Sequence, residues 1–414
     1  MGRTSYATTR FDERQAKTLE SEITDKEGFL KSEDPVARAI KIIKPLGAGG
    51  QSLAYVGRLI YSRLDEQGWR QLYAPILAHQ YLLNNSNNID HWEAHYENAS
   101  SAVIGYSKTD LQNRVKQFYR DHQLIGKNGR VAVTVSRLAT NDKNMLERLS
   151  RQRKLAGLPH PNLAYLFATG TLKDKRSYSV VQLLQGALSP SKTYGWPLQK
   201  HIEALKQMIK GMNKLKEYGV LHRDLKPENI FYKENGHGPQ FKIADYGLMK
   251  QILGRSTIET EDGGVFGTAG FMSPEQVRDL HTCDWRSDQF SLGASVYEMI
   301  TKKSVLGIPE TDTRDVELLL RNTLERPLID SILTEQDKMK ERFELVLARM
   351  MQKLQTQRYD DYDEILQDLE DIQKGKKPKN TNDSYRAKVF KPSEFSTPTI
   401  VKKIKRLFGG FCFF

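Results

Sequence analysis

Four polar side chains near the middle of the chain have the types and the spacing that phosphoryl transfer requires. Asp224, Lys226 and Asn229 lie in the short segment LHRDLKPENIFY, and Asp245 follows sixteen residues after Asn229 in the segment KIADYGLMK. One carboxylate can orient the proton of an attacking hydroxyl group, while a second carboxylate and an amide oxygen are hard ligands for Mg²⁺. A lysine can offset the charge of the transferred phosphoryl group. This set of residues therefore predicts a metal-dependent phosphotransferase site.

The elements that would position these side chains are strands first and helices afterwards. Strand-like runs occupy 39–46, 130–136 and 177–184, whereas helical periodicity dominates the later part of the chain. This order predicts an α+β fold with a small sheet-rich lobe and a larger helical lobe. Helices are predicted at 109–122, 144–158, 197–219 (with Gly219 as its C-cap), 287–301 and 342–354.

The composition limits the class of protein. The 414 residues carry a net charge of +12 and only two cysteines, Cys283 and Cys412, which are far apart in sequence. Two such cysteines can build neither a disulfide framework nor a cysteine metal site, so we expect a reducing compartment. No apolar run approaches the length of a membrane span, and the first residues contain no signal-peptide core. The sequence therefore predicts a cytoplasmic protein.

Five motifs, in order along the chain, resemble those of the eukaryotic-type (Hanks-type) serine/threonine protein kinase family. HRDLKPEN is complete, DYG has Tyr246 in place of the usual phenylalanine, and GTAGFMSPE resembles the end of an activation segment. DQFSLG resembles the family's helix with a buried aspartate, and TQRYDDYDEILQDLE resembles the closing helices, with Arg358 placed to pair with Glu275. The resemblance covers roughly 38–373 and implies a bilobal, protein-kinase-like fold.

The resemblance also implies a role for each residue of the predicted site. Asp224 would be the catalytic carboxylate, assisted by Asn229 and by Lys226, which also implies serine or threonine substrates. Asn229 and Asp245 would hold Mg²⁺ or Mn²⁺. ATP would be bound by the glycine-rich loop LGAGGQSLAYV, by the hinge QLL and by apolar side chains that enclose the base. The residues implied for ATP are Leu46, Gly47, Gly49, Gly50, Ala54, Ala132, Arg151, Gln182, Leu183 and Phe231.

The sheet-rich lobe departs from the family pattern where a lysine and a glutamate would form an ion pair. With 130–136 as the third strand, Thr134 takes the place of the lysine and Arg151 takes the place of the glutamate. The run 72–82 is the alternative third strand, but it supplies no lysine either, and its proline makes it a poor central strand. The favoured assignment implies an insertion of about 58–129 between the second and third strands.

Two functions remain open on this evidence. The chain is either a serine/threonine protein kinase that transfers the ATP γ-phosphate to protein hydroxyls, with Arg151 as the replacing cation, or a pseudokinase that acts as a catalytically silent scaffold or allosteric partner. The complete set of catalytic-loop and metal-binding residues favours the kinase, because a silent chain has no chemical need for it. Candidate phosphorylation sites in the activation segment are Ser256, Thr257 and Thr260.

The two ends of the chain differ from the kinase-like part. Residues 1–37 are polar and are predicted to form a loosely held, irregular N-terminal extension. Residues 374–414 hold eleven Lys or Arg against two acidic residues, and they divide into a basic linker, 374–398, and an amphipathic basic and aromatic tail, 399–414. The tail suits an anionic surface such as the inner face of a membrane, and a docking helix is the alternative. No nucleic-acid partner is expected, because no folded domain presents a basic, aromatic surface.

Overall fold

The structure is a computed structural model in which the chain divides into two units, and each unit is described by itself. The first comprises Met1–Leu188, Lys210–Asp224 and Glu228–Thr260, and the second comprises Ser189–Ile209, Leu225–Pro227 and Glu261–Phe414. The residues that the structure describes are 13–48, 52–85, 92–125, 128–136, 139, 149, 152–235, 238–246, 269–278, 282–305, 329–332 and 337–391.

The N-terminal segment is folded in its described part. Helix α1 spans Glu13–Ile23 and helix α2 spans Pro35–Arg38, whose N-cap Asp34 accepts hydrogen bonds from two backbone N–H groups of the first turn. Ile23 is 1% exposed and belongs to the hydrophobic core of the first unit. The expectation of an irregular extension over 1–37 is therefore corrected for its described part, 13–37, because the apolar side chains of this polar segment are buried against the core.

A five-stranded antiparallel sheet organises the first unit. The strand order is β1-β2-β3-β5-β4, so β3 lies at the centre and pairs with both β2 and β5. The valines of β3 suit a strand that is buried on both faces. This pairing confirms 130–136 as the third strand of the chain. The strands are β1 (Ile40–Ala48), β2 (Ser52–Leu59), β3 (Arg130–Ser136), β4 (Leu166–Thr171) and β5 (Ser177–Gln182).

In its described residues, the predicted insertion between β2 and β3 contains three α-helices. The run 72–82 lies inside the first of them, which excludes it as a strand. Trp69 and Ile76 of this helix are 0% and 1% exposed, and they belong to the same hydrophobic core as the sheet residues Tyr55 and Val133. The insertion is therefore an integral layer of the first unit. Its helices are α3 (Glu66–Asn85), α4 (Trp92–Ala102) and α5 (Lys108–Asp121), the last of which confirms the helix predicted at 109–122.

A β-hairpin in the first unit connects the segments that carry the candidate site. Strand β6 spans Ile230–Asn235 and pairs with β7, which spans Gly238–Ile243. The backbone N–H of Ala164 donates to the carbonyl of Ile243 at 2.8 Å, and the N–H of Leu188 donates to the carbonyl of Ile230 at 2.8 Å. These bonds fix the hairpin between the segment before β4 and the segment after β5.

Helices make up the second unit, as the sequence predicts. Asp288 is 1% exposed, which confirms the prediction of a buried aspartate. Gly219, a residue of the first unit that follows the long helix, has a left-handed φ of 64°, as expected of a C-cap. Over the described residues, no helix combines the length and the hydrophobicity that a membrane span needs. The helices are α6 (Pro190–Thr193), α7 (Leu198–Glu217, which belongs to this unit as far as Ile209), α8 (Pro274–Arg278), α9 (Trp285–Thr301), α10 (Lys338–Met350) and α11 (Tyr362–Gln373).

The predicted ion pair between Glu275 and Arg358 is present in the second unit. The Nη1 and Nη2 atoms of Arg358 donate to Oε1 and Oε2 of Glu275 at 2.6 and 2.9 Å, and the arginine side chain is 0% exposed. Ser287 also donates to Glu275, at 2.7 Å. Burial alone would raise the pKa of the Glu275 carboxyl, but the hydrogen bonds and the charge of Arg358 outweigh burial and lower this pKa.

The segment that follows α11 is folded onto the second unit. It contains helix α12, Asp383–Ala387, and Phe390, which is 2% exposed. The carboxylate of Asp368 accepts hydrogen bonds from the backbone N–H groups of Lys379 and Asn380 at 2.9 and 3.1 Å. The expectation of a linker over 374–398 is thus corrected for its described part, because these contacts fix its backbone. The tail predicted at 399–414 lies outside the described residues.

Candidate active site

The catalytic-loop motif is anchored through a buried histidine. The ring Nδ1 of His222 accepts a hydrogen bond from the backbone N–H of Asp224 at 3.3 Å, and Nε2 lies 3.0 Å from the carbonyl oxygen of Ala244. Because Nδ1 accepts, Nε2 must carry the proton and donate to that carbonyl. His222 is 1% exposed. The histidine therefore connects the loop that carries Asp224 to the residue directly before Asp245.

Asn229 lies between the two aspartates of the predicted site. Its Nδ2 donates to the backbone carbonyl of Asp224 at 2.7 Å and to the carboxylate Oδ2 of Asp224 at 3.3 Å. Its own backbone carbonyl accepts from the N–H of Ala244 at 2.9 Å. Because both side-chain bonds use the amide nitrogen, the amide oxygen can serve as a metal ligand. Asn229 thus contacts the carboxylate of Asp224, the predicted catalytic residue, and is bonded to the residue before Asp245.

The backbone beside both aspartates has an unusual conformation. Arg223, directly before Asp224, has φ 64°, and Asp245 has φ 60°. Non-glycine residues in this left-handed region cost on the order of 1 kcal/mol each, and they persist where surrounding bonds determine the conformation. The bonds of His222 and Asn229 supply such constraints here. Strain of this kind is common at functional sites.

The donor set fits the divalent cation that the sequence predicts. A carboxylate from Asp245 and an amide oxygen from Asn229 are the oxygen ligands that Mg²⁺ accepts, with phosphates and waters completing its octahedron. Among the described residues, no group of three or more His, Cys, Asp or Glu side chains forms a closed metal cage. A site with few protein ligands is typical for a metal that arrives with a nucleotide. Lys226 is 8% exposed and belongs to the second unit.

The sheet places several of the predicted nucleotide-binding residues in register. Gly47 lies opposite Ala54, and Ala54 lies opposite Thr134, across β1, β2 and β3. Ala132 lies opposite Val181, the last residue before the hinge QLL, and it is 1% exposed. Leu46 and Gly47 lie in the described part of β1, while Gly49, Gly50 and Arg151 lie outside the described residues.

Gln182, predicted to contact ATP, has its side chain directed towards the insertion. Its Nε2 donates to the backbone carbonyl of Gln123, two residues after α5, at 3.3 Å. Gln182 and Leu183 line a cavity of about 860 Å³ together with that segment and with His160. Phe231 is 3% exposed and forms a β-bridge with Ala187 after the hinge.

One buried residue near the site, Gln152, escaped the sequence-based prediction. Gln152 donates from Nε2 to the carbonyl oxygen of Tyr246 at 3.2 Å, and the hydroxyl of Tyr246 donates to the carbonyl of Ala164. Burial raises the pKa of the Tyr246 hydroxyl well above its ordinary value. A signal for Gln152 existed, because it lies three residues from both Leu149 and Leu155, and a spacing of three places side chains on one helix face.

With this geometry described, comparison with known proteins identifies the family. The family model described as the protein kinase domain matches residues 126–369, which is more than half of the chain. The chain therefore belongs to the protein kinase family. Strands β1 and β2 precede the matched region and belong to the same five-stranded sheet as β3, β4 and β5.

Several similar proteins are named as bacterial serine/threonine-protein kinases. The serine/threonine-protein kinase PknL of Mycobacterium tuberculosis is 34% identical over 170 residues, which are 40% of this chain and 41% of PknL. A probable serine/threonine-protein kinase of Clostridium perfringens is 29% identical over 238 residues, 56% of this chain and 33% of that protein. PknB of Mycolicibacterium smegmatis is 30% identical over 179 residues, 41% of this chain and 28% of PknB. The chain thus spans less than half the length of these curated relatives.

Proposed function

We propose that the chain is a serine/threonine protein kinase that transfers the γ-phosphate of ATP to serine or threonine hydroxyls of protein substrates. The observation that carries this proposal is the bonded connection between Asp224, Asn229 and Ala244, the residue before Asp245. It supports the proposal because it connects, within the first unit, the proposed catalytic carboxylate and the two proposed metal-ligand residues. The names of the bacterial relatives support the substrate class.

Each residue has a chemical task in the proposed reaction. The carboxylate of Asp224, oriented by the amide of Asn229, accepts or orients the proton of the substrate hydroxyl. Asp245 and the amide oxygen of Asn229 would hold the divalent cation, for which we propose Mg²⁺ with Mn²⁺ as a substitute. When bound, the cation neutralises the charge that develops on the phosphates. Lys226 would add a positive charge on the transferred phosphoryl group.

The pseudokinase alternative has less support. A scaffold needs neither the left-handed backbone at Asp245 nor the amide of Asn229 turned to Asp224, although both are present. The neutral Thr134, opposite Ala54 in the sheet, remains the reason to test the point. We keep Arg151 as the proposed replacing cation, and the tail 399–414 as a proposed contact with anionic membrane surfaces.

Phosphate incorporation measures the proposed function. Purified protein, incubated with γ-labelled ATP and Mg²⁺ or Mn²⁺, should phosphorylate itself or a basic model substrate on serine or threonine. Asp224→Asn removes the catalytic carboxylate but keeps its size, so incorporation should fall about 100-fold or more. Chelation of the metal should abolish incorporation in the wild type. Equal incorporation by Asp224→Asn would assign the signal to a contaminating kinase and would leave the scaffold as the better account.

A further inference from the structure

Gln152 is a buried side chain that has no role in the reaction proposed above. It lies in a helical turn of the first unit and is 3% exposed. Its side chain approaches the carbonyl oxygen of Tyr246 at 3.2 Å, which is the residue directly after Asp245. A carbonyl oxygen only accepts, so the amide nitrogen of Gln152 must be the atom that faces it.

The other end of the Gln152 amide faces strand β4. The hydroxyl of Thr169 lies 3.4 Å from Oε1 of Gln152, 2.9 Å from the carbonyl of Tyr178 and 3.1 Å from the hydroxyl of Ser179. Thr169 has one hydrogen to donate, so its bond to Tyr178 is the stronger one and its contact with Gln152 is the weaker. The glutamine is thus supported by the sheet, while its main bond goes to Tyr246.

This contact completes a neutral polar row on the sheet. Thr134 lies opposite Ser179 across β3 and β5, and Ser179 lies opposite Thr169 across β5 and β4. Residues directly opposite in antiparallel strands share a face. The row is buried, since its exposed fractions are 7%, 2% and 4% in that order. Neutral side chains can occupy such a row without a partner of opposite charge, whereas a buried charge needs one.

Asp245 is constrained from both sides along the backbone. Before it, the N–H of Ala244 donates to the carbonyl of Asn229 at 2.9 Å. After it, the carbonyl oxygen of Tyr246 accepts a hydrogen bond from Gln152, and the side chain of Tyr246 is buried, since the residue is 6% exposed. Asp245 itself has the costly φ of 60°. A conformation of this kind requires neighbours that determine it. Among the described residues, Gln152 is one such neighbour on the C-terminal side, and Ala164, which accepts a hydrogen bond from the Tyr246 hydroxyl, is another.

We propose that Gln152 is a positioning residue for the metal–nucleotide complex: by binding the carbonyl of Tyr246, it keeps Asp245 in the backbone conformation in which this aspartate serves as a metal ligand. The proposal rests on the proposed role of Asp245 as that ligand. In this role, the neutral amide of Gln152 connects Thr169 of β4 to Tyr246 of the DYG segment. Gln152 acts through Tyr246 and Asp245 and touches no reacting atom.

Three variants separate this task from a packing role. Gln152→Met keeps the volume and removes the donor, whereas Gln152→Glu keeps the shape but presents a carboxylate to a carbonyl oxygen. The control is Gln289→Met in α9, because Gln289 is also buried, at 0% exposed, and also donates to a backbone carbonyl, that of Tyr359, at 3.3 Å. Gln152→Asn, which keeps a smaller amide, replaces Gln152→Met should the latter fail to fold by circular dichroism.

Hydrogen exchange of the nucleotide-free protein tests the positioning directly. The amides of the segment 242–246 should exchange about threefold to tenfold faster in Gln152→Met than in the wild type, which corresponds to the loss of one hydrogen bond. The Gln289→Met control should leave this segment unchanged. Unchanged exchange in Gln152→Met, in a folded protein, overturns the proposal whether or not the protein is a kinase.

Mg²⁺ dependence gives the second measurement. With the β,γ-imido analogue of ATP, half-saturation by Mg²⁺ should require about threefold to tenfold more metal in Gln152→Met, and still more in Gln152→Glu. In turnover, kcat should fall while KM for the protein substrate stays near the wild-type value. Wild-type Mg²⁺ dependence in both variants overturns the positioning role. A wild type that shows no Mg²⁺-dependent binding refutes the proposed function instead, and the exchange measurement then decides on Gln152 alone.

Discussion

Arg358 and Glu275 form a pair in which each charge depends on the other. The guanidinium is fully buried, and besides Glu275 it donates to the backbone carbonyls of Gln352 and Arg286, each at 2.8 Å. A buried ion pair gives little net stability over an apolar replacement, because both charges lose their hydration. Removal of one partner is costly, because the other charge remains buried without compensation.

Arg358→Met should therefore lower the free energy of unfolding by about 3–5 kcal/mol at neutral pH, measured by urea denaturation. The double variant Arg358→Met with Glu275→Gln should recover part of this loss. Because the folded-state pKa of Glu275 is lowered, its contribution is complete above the ordinary pKa and is lost as the pH falls below about 4.5. The exposed pair Lys374–Glu370 is the control, and Lys374→Met should cost less than about 0.5 kcal/mol. A similar loss in both variants would contradict this account.

Helix α3 of the insertion is tied to the rest of the first unit by His79. One ring nitrogen lies 3.1 Å from the carbonyl of Ala156, four residues after Gln152, and the other lies 3.0 Å from the hydroxyl of Tyr218. His79 is 2% exposed, and its ring packs 4.5 Å from that of Trp92. The insertion thus contacts the segment that carries Gln152, and it also contacts the residue that follows α7.

Burial lowers the pKa of His79 from 6.5 to about 3. The unfolded chain therefore binds a proton at a higher pH than the folded chain does, and the stability contributed by neutral His79 is complete above pH 6.5 and is lost as the pH falls towards 3. His79→Gln should reduce the loss of unfolding free energy between pH 6 and 4 by about 1 kcal/mol per pH unit. The measurement is urea denaturation across this range, with the exposed His122→Gln as control. The same pH slope in wild type and His79→Gln would refute the linkage.

The elements that could be predicted from the sequence are those whose residue patterns are local. The strand-like run 130–136 placed β3, and this strand in turn implied the insertion at about 58–129. The contact of His79 with Tyr218 joins residues 139 apart, and no local pattern reports such a contact. Gln152 escaped because the family's register directed attention to Arg151. The docking of Phe390 rests on one apolar residue in a basic segment, which is too weak a pattern to be recognised.

The positive charge of the molecule is concentrated in the segment C-terminal to its kinase domain. Part of the segment 374–391 is used within the second unit, where Lys391 pairs with Asp330 at 3.0 Å. The tail 399–414 adds Lys402, Lys403, Lys405 and Arg406. Each such residue contributes on the order of 1 kcal/mol near an anionic surface, and salt screens this attraction. Charge and aromatic residues together are the basis of the proposed membrane contact.

The 414-residue protein should therefore sediment with vesicles that contain phosphatidylserine and should be released as the salt concentration rises. A 1–398 truncation should bind several-fold more weakly, and both proteins should bind poorly to vesicles of phosphatidylcholine alone. Replacement of the four tail cations by glutamine separates the charge from the aromatic residues. Equal sedimentation of full-length and truncated protein on the anionic vesicles would refute the tail contact.

The activity proposed for the whole molecule is phosphate transfer that depends on the carboxylate of Asp224. Rapid-quench measurement of a single turnover at saturating Mg²⁺ and ATP separates nucleotide binding from transfer, in wild type and in Asp224→Asn. We expect both proteins to bind nucleotide with similar affinity, because the proposed role of Asp224 is to act on the substrate hydroxyl. We expect the transfer rate to fall about 100-fold or more in the variant. A wild type that binds nucleotide but transfers no phosphate, or a variant that transfers at the wild-type rate, would contradict the account.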